Sequence, residues 1–591
     1  MTLIRLARCS TCNAYKAKST ALPKMLTSFD GEAEAPVAFN LTVINIVTDS
    51  IVRQSKLYLI AEVISYLTFT QLTPFINDSN WSLASIMTAA DFPLGNSRIV
   101  PGRYPPQGTD PYADAIRERR GARGITPLDA NLLHVPPIAG GFNTLLGAVR
   151  NKGNLPGDVR EAIILRVAAI NHAAFEWIHH EIVGRNEGLT SGQLYVIRDI
   201  QTPLPAMQHV LTPLQAVAVL FTDHSTRDIR VPMEVVEQFK KELRSLTEDP
   251  NKIDDLYVEA AMVAASYNMV SRFLLSTDVA GISDKEVPWP VDRKEHRIAL
   301  PSFPPDSTSS HVIHATTIIS SPDAPWLVFS NSLLTDLSMW NYIVPHFLSN
   351  YNILLHSQRG HGQSTLPEHS SQRPVTIPLL ATDIANLLEA LSIPTPVHAV
   401  IGVSQGGATA LAFGAMYASK TKSIVVCDTA AKTPQGNKEA WEERIRLVQE
   451  DGMRKLADIT VPRWFPPGSI CNPTHNSAVG QKRADWVGKM IQNTDIAGFS
   501  AGARALSDYD LIGEDVNILR SEIGHVLLVA GELDGGGKVG KGLQVLAIRW
   551  NAERGSATAV VYEEIIGAGH LPMIDSAEAF CEVVGTWIRS I

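Results

Sequence analysis

The stretch Val397-His398-Ala399-Val400-Ile401-Gly402-Val403-Ser404-Gln405-Gly406-Gly407 decides the fold. An apolar run of strand length ends in Gly-Val-Ser-Gln-Gly. Small residues at helical positions, Ala408, Ala412 and Ala415, follow at once. Strand, sharp turn and helix form the context in which the serine of a Gly-x-Ser-x-Gly motif is presented as a nucleophile. The turn is so tight that a Cβ at Gly402 or Gly406 would crowd the backbone, and Ser404 itself must accept a strained conformation. The same turn lifts the Ser404 hydroxyl clear of the sheet and leaves the Gln405 N–H aimed at the same space.

Partners for Ser404 follow downstream. Val526-Leu527-Leu528-Val529-Ala530 reads as a buried strand and leads through Gly531-Glu532-Leu533 to Asp534. Ala559-Val560-Val561-Tyr562 reads as another strand and leads to Gly567-Ala568-Gly569-His570. A serine nucleophile needs a base to take its proton, here His570, and an acid to fix the imidazole tautomer and stabilise its cation, here Asp534. The order Ser404, Asp534, His570 resembles that of the α/β-hydrolases. Val312–Ile319, Trp326–Ser330 and Ile353–His356 read as strands before the motif, Ala381–Leu391 as a helix, and Ser423–Cys427 as the strand after the nucleophile helix. Alternating β and α units predict a mostly parallel sheet covered on both faces.

A chain of 591 residues is expected to hold more than one domain. Its 45% hydrophobic and 19% charged content is ordinary for globular protein. The net charge of −9 and the lack of a basic stripe argue against a nucleic-acid partner. Apolar runs such as Leu57–Phe69, broken by Glu62, are too short to span a bilayer, so no membrane partner is expected. Five cysteines do not make a disulfide framework, which favours a reducing compartment, taken as cytoplasmic. The alternative is mitochondrial. The first 29 residues carry Arg5, Arg8, Lys16, Lys18 and Lys24 and no acid before Asp30, as a transit peptide would. Residues 1–105 otherwise form an unassigned extension. It holds a lone Cys9-Ser10-Thr11-Cys12, without the second pair a zinc site would need, and the β-branched run Val43–Phe75.

Residues 106–286 are helical throughout. Asp110–Arg123 is charged and helical, and Phe142–Val149 follows. Val159, Ile163, Val167 and Ile170 then recur at helical spacing, and Ala173, Glu176, Trp177 and His180 mark a second helix. Pro213–Phe221, Met233–Leu246 and Ile253–Leu275 add three more, with no alternating strand pattern between them. Residues 287–310, with Pro288, Pro290, Pro301, Pro304 and Pro305, are expected as a semi-rigid linker. The hydrolase half runs over 311–591.

The helical half resembles the carboxymuconolactone decarboxylase family. The residues that carry the likeness are Gly124-Ile125-Thr126-Pro127-Leu128-Asp129, Arg160-Glu161-Ala162-Ile163-Ile164-Leu165-Arg166, Phe175-Glu176-Trp177-Ile178-His179-His180 and Tyr267-Asn268-Met269-Val270-Ser271-Arg272-Phe273. In the alkyl hydroperoxidase D branch the pattern is Glu, then Cys-x-x-Cys-x-x-x-His, which falls here on Glu161, Ala173, Glu176 and His180. Both thiols are missing, and residues 106–286 contain no cysteine, so peroxide chemistry lacks its nucleophile. The decarboxylating branch carries Glu-x-x-x-His, which Glu176 and His180 reproduce. Read by themselves, those two are an i, i+4 pair on one helix face. Such a pair either delivers a proton to carbon or adds only about 0.2–0.5 kcal/mol to the helix. The family resemblance further implies a homo-oligomer built through the helical half.

The hydrolase half resembles the 3-oxoadipate enol-lactonases. The likeness rests on Ser330-Asn331-Ser332-Leu333-Leu334-Thr335-Asp336-Leu337-Ser338-Met339-Trp340, Arg359-Gly360-His361-Gly362, Cys427-Asp428-Thr429-Ala430-Ala431-Lys432 and Arg463-Trp464-Phe465. It departs at Leu334, where the family has Gly, at Ser357, where it has Asp, and at the unusual Gly535-Gly536-Gly537-Lys538. About a hundred residues separate the Cys427 and Val526 strands, far more than an ordinary connection. Residues 432–510 are therefore expected as a helical lid. There Arg463 either meets a substrate carboxylate beside an apolar wall from Trp464 or pairs with a lid acid.

The two resemblances imply consecutive reactions in aromatic-acid catabolism. One releases CO2 from 4-carboxymuconolactone, and the other opens the resulting enol-lactone at Ser404 with the Leu333 and Gln405 N–H groups around the oxyanion. Neither needs a metal or an organic cofactor. The alternative is an esterase or lactonase of another metabolite, with the helical half a non-catalytic oligomerisation module.

Overall fold

The computed structural model of the protein describes residues 97–203, 210–304, 306–367, 373–554 and 559–591. The basic N-terminal residues, the Cys9–Cys12 pair and the Val43–Phe75 run lie outside these. The helical half consists of α1 (Pro111–Arg120), α2 (Pro127–Leu132), α3 (Pro136–Asn151), α4 (Gly157–Ile170), α5 (Ala174–Asn186), α6 (Ser191–Arg198), α7 (Pro213–Arg227), α8 (Met233–Leu243) and α9 (Pro250–Ser276). Their starts are written in the sequence. Thr126, Thr190 and Thr212 each accept from the third backbone N–H of the helix, and Asp129, Gln193 and Gln215 reach back, three reciprocal capping boxes. Helix α4 is the central helix, buried at Val159 and from Glu161 to Ala169.

Arg166 makes α4 more than an apolar rod. It is 1% exposed, yet its guanidinium forks onto Asp223 of α7 at 2.5 and 3.1 Å and donates to the carbonyls of Ile197 and Asp199 at 2.9 and 2.7 Å. One side chain thereby fixes α4, α6 and α7.

The hydrolase half is built on an eight-stranded sheet in the order β1-β2-β4-β3-β5-β6-β7-β8. The strands are β1 (Asp292–Phe303), β2 (Asp306–Ile319), β3 (Trp326–Ser330), β4 (Asn352–His356), β5 (Val397–Val403), β6 (Thr421–Cys427), β7 (His525–Gly531) and β8 (Val560–Ile565). From β4 to β8 every pairing is parallel; β1 and β2 are antiparallel additions at one edge. Helices α10 (Ile377–Ala390), α11 (Gln405–Met416), α15 (Lys538–Arg554) and α16 (Ala577–Arg589) cover the sheet, so β5 is buried at all seven positions. Between β6 and β7 stand α12 (Asn437–Trp464), α13 (Ala478–Asn493) and α14 (Ile496–Ser507), helices of the expected lid stretch.

Two expectations differ from the structure. Residues 287–310 are not a spacer: they contain β1 and the start of β2. An edge strand with one exposed side tolerates charge, and Pro301 sits at a register shift, which masks the alternation. Residues 97–105 also belong with the helical half. Arg98 meets Asp278 through Nε at 2.7 Å and Nη2 at 2.9 Å, and the Arg98 N–H adds a third bond at 2.8 Å. The two halves are packed together. A single buried cluster holds Trp177, Leu194 and Tyr195 with Trp340 and Phe347, and Asn341 and Tyr342 bond to Thr202 Oγ1 and the Pro203 carbonyl at 2.9 and 2.7 Å.

Replacing Arg166 leaves the Val196, Ile197 and Asp199 carbonyls without their buried donor and leaves Asp223, 18% exposed, with Arg227 at 3.8 Å. Arg166→Met is expected to lower stability by about 3–5 kcal/mol, read by urea denaturation of the full chain. A loss under about 1 kcal/mol would show that water takes over the guanidinium's bonds.

Candidate active site

The Ser404 turn is as tight as its glycines imply. Ser404 holds φ 57° and ψ −116°, a conformation an L-residue adopts at a cost of about 1–3 kcal/mol. A Cβ on Gly402 would collide with the Gly406 carbonyl, and one on Gly406 with the carbonyl of Ser330 at the end of β3. The Ser404 N–H donates to the Cys427 carbonyl at 2.9 Å, which ties the strained residue to the neighbouring strand. Ser404 stays half-buried rather than sealed.

Because β5, β7 and β8 run parallel, the residues that follow them lie on the same edge of the sheet. Asp534 follows β7 and His570 follows β8, and Asp534 Oδ2 is 2.8 Å from His570 Nδ1. Burial pushes the Asp534 carboxyl up, but the His570 charge and hydrogen bond, with Arg463 nearby, override this and hold it below the usual carboxylate range. The His570 loop is anchored three times. Its N–H donates to the Trp464 carbonyl at 2.8 Å, its ring stacks on Trp464 at 5.4 Å, and the Gly569 N–H donates to the buried Asp575 at 2.8 Å. Trp464, expected as an apolar wall, is 4% exposed and spends its ring on His570. Arg463 is exposed, and the charges nearest it are Arg444 and Asp534.

The expected oxyanion donors are Leu333, after β3, and Gln405, at the start of α11. Gln405 N–H is the first of α11 and has no intrahelical acceptor, and among the described residues neither it nor Leu333 N–H donates to a backbone carbonyl. The Gln405 side chain donates to the Gly502 carbonyl of α14 at 2.8 Å, and Leu333 packs on Gly502, so the turn and the inserted helices hold one another. Leu334 stands at φ +73° with 2% exposure. Gly535, Gly536 and Gly537, unusual in the sequence, form a turn with φ of 57°, 66° and 78°, which glycine adopts without penalty.

In the helical half the expected Glu176–His180 pairing gives way to bonds across helices. His180 Nδ1 is 2.7 Å from Glu161 Oε2 on α4, and its Nε2 is 3.2 Å from the Tyr267 hydroxyl on α9. Arg150 Nε of α3 donates to that same hydroxyl at 2.6 Å. Glu176 instead accepts from Ser271 of α9 at 2.9 Å, while its other oxygen is buried without a partner. Tyr267 and Ser271 are one turn apart on α9, as Glu176 and His180 are on α5, so the two helices meet in rungs rather than along one face. Burial lowers the His180 pKa, which favours the neutral ring. Every proton then has a place: Arg150 donates to Tyr267, Tyr267 to His180 Nε2, and His180 Nδ1 to Glu161. Burial raises Glu176 well above the usual carboxylate range, which favours its protonated form.

Arg150, Tyr267, Ser271, Asp428 and Asp575 were not singled out from the sequence. Isolated polar residues in apolar helices or loops carry no spacing signal; Tyr267 and Ser271 lay inside a quoted motif without a role. Among the described residues no group of three or more His, Cys, Asp or Glu is placed to hold a metal ion, and no helix is long and apolar enough to cross a membrane.

Comparison with known proteins matches an alpha/beta hydrolase family model to residues 327–583 and a carboxymuconolactone decarboxylase family model to residues 136–218. The 3-oxoadipate enol-lactonase 2 of Acinetobacter baylyi is 38% identical over 148 residues, which are 25% of this chain and only 52% of that protein's length. The 3-oxoadipate enol-lactonase 1 of the same organism is 31% identical over 274 residues, 46% of this chain and 92% of the relative. The solved enol-lactonase of Burkholderia xenovorans is 27% identical, with a TM-score of 0.39, covering 47% of this chain and 97% of that one.

Two outcomes test this geometry. At a position with φ above zero the usual ranking inverts: Leu334→Gly should be no less stable than Leu334→Ala, each losing about 2–4 kcal/mol of burial, because only glycine relaxes the backbone. An alanine variant more stable than glycine in thermal melts would refute the strained backbone. Glu176 carries a raised pKa, so its contribution is present below the unfolded value near 4.5 and fades as pH rises toward the folded value. Glu176→Gln should therefore melt above the parent at alkaline pH, with the gap closing in acid. A gap independent of pH would show that Glu176 is ionised.

Proposed function

The chain belongs to the alpha/beta hydrolase family, and from that premise we propose that its C-terminal half is a serine hydrolase that opens 3-oxoadipate enol-lactone or a close relative. The observation that carries the reading is the 2.8 Å Asp534–His570 contact on the sheet edge where the strained Ser404 turn also sits. Ser404 Oγ attacks the lactone carbonyl carbon as His570 takes its proton. The tetrahedral oxyanion is held by the N–H groups of Leu333 and Gln405. Collapse breaks the ring C–O bond, and the departing enolate takes a proton and becomes the ketone. Water deprotonated by His570 then attacks the acyl-enzyme and frees Ser404. Arg463, exposed beside Asp534, is placed to meet a substrate carboxylate at the mouth.

The helical half is proposed to supply that lactone by releasing CO2 from 4-carboxymuconolactone. The C–CO2 electron pair moves into the conjugated lactone carbonyl, and a proton then goes to carbon. Glu176, neutral and with one oxygen unpartnered, fits the donor; the Arg150–Tyr267–His180–Glu161 chain fits a route for proton return. A second reading has its own support. The leucine at position 334 and the burial of His180 to 8% fit a lactonase or esterase of another metabolite, with the helical half a scaffold.

Ser404→Ala should lower lactone and ester hydrolysis by roughly four to six orders of magnitude with the fold intact. His180→Ala should abolish CO2 release from 4-carboxymuconolactone while sparing lactone opening. Product mass and evolved CO2 decide both. Near-normal hydrolysis by the serine variant removes the first reading; an intact chain that never releases CO2 leaves the helical half a scaffold.

A further inference from the structure

Asp428 immediately follows β6, one strand over from the strand that delivers Asp534. It is 2% exposed and takes φ +48°, so its carboxyl is turned into the sheet edge rather than out to water. Its N–H donates to the Val529 carbonyl at 3.0 Å, and its Oδ1 accepts from the Gly531 N–H at 2.8 Å, three residues before Asp534. Oδ2 is buried with no well-aligned partner. The group close enough to reach it, by charge and by hydrogen bond, is the Asp534 carboxyl.

Resting on the serine-hydrolase reading, we propose that Asp428 is a positioning residue of the Ser404–Asp534–His570 site, a carboxylic acid whose O–H is donated to Asp534 and holds that carboxylate toward His570. Two buried carboxyls in contact cannot both be ionised, so one proton is shared between them. The surroundings decide which keeps it. Asp534 faces the His570 imidazole and the Arg463 cation, whereas Asp428 faces one backbone N–H, the uncharged Cys427 thiol beside it and the Tyr562 ring of β8. The charge therefore settles on Asp534 and the proton on Asp428, the direction that burial and the Asp534 charge also give Asp428. As donor, Asp428 satisfies a carboxylate lone pair that would otherwise face the interior and tempers its basicity toward the imidazolium.

The test uses the full chain and a p-nitrophenyl acetate assay of kcat and KM across pH. Asp428→Ala should lower kcat by about 10- to 100-fold, the effect of losing a hydrogen bond to a charged group, with KM little changed. It should also move the acidic limb of kcat/KM to higher pH. An Asp534 without its donor is a stronger hydrogen-bond acceptor and holds the imidazolium more firmly, and His570 must be neutral to act. Asp428→Asn, whose amide N–H replaces the O–H, should restore most of the lost turnover and return the limb to its place. If Asp428→Ala does not accumulate as folded protein, Asp428→Ser, with a shorter side chain, carries the same test. An unmoved limb, or asparagine and alanine variants equally impaired, would overturn the proposal. Ser404→Ala run in parallel separates the layers: retained hydrolysis there removes the serine reading, and this proposal with it, whatever position 428 does.

Discussion

The close approach of two backbones at Gly402 and Gly406 constrains the rest of the hydrolase half. The start of α11 lies against the end of β3, with the Ser330 and Asn331 carbonyls where a Cβ on Gly406 would be. Only that contact lets the chain reverse within one residue, and only that reversal puts Ser404 at positive φ. The strain must be offset by the surroundings, and the sheet does so. The Ser404 N–H is held by Cys427, and Gln405 is held by Gly502, so the turn is clamped from β6 below and from α14 above. The same clamp aligns the first N–H of α11 beside the Leu333 loop.

What was legible in the sequence follows the strength of local patterns. The parallel strands inside the sheet, β3 to β7, are buried at nearly every position, so each is a short continuous apolar run between turn residues; seven of the eight strands are legible, although β2 starts six residues before its apolar run and edge strand β8 is only partly buried. β1 was not, because an edge strand with Arg293, Lys294, Glu295 and Arg297 looks like a solvated spacer. Ser404, Asp534 and His570 were readable because each follows a strand in a known order. Asp428 was quoted and passed over: its importance lies in a contact across strands, and no spacing in the chain announces it. Glu176 and His180 were paired from their i, i+4 spacing, but spacing on one helix says nothing about what the facing helix offers. Tyr267 and Ser271 offered a better partner to each, and the bonds went there.

The two halves also show how one residue type is set to opposite tasks. Asp534 and Glu176 are both buried carboxyls, and burial alone pushes both toward the neutral form. Asp534 meets an imidazole and a guanidinium and stays ionised. Glu176 meets a serine hydroxyl, and the Arg150 charge acting on it is outweighed by its burial, which favours the protonated form. The difference comes from the partners, not from depth. Burial likewise favours the neutral form of His180, whereas its neighbours favour the charged form of Asp534. The packed interface between the halves, through Asn341 and Tyr342, draws on residues of neither cluster.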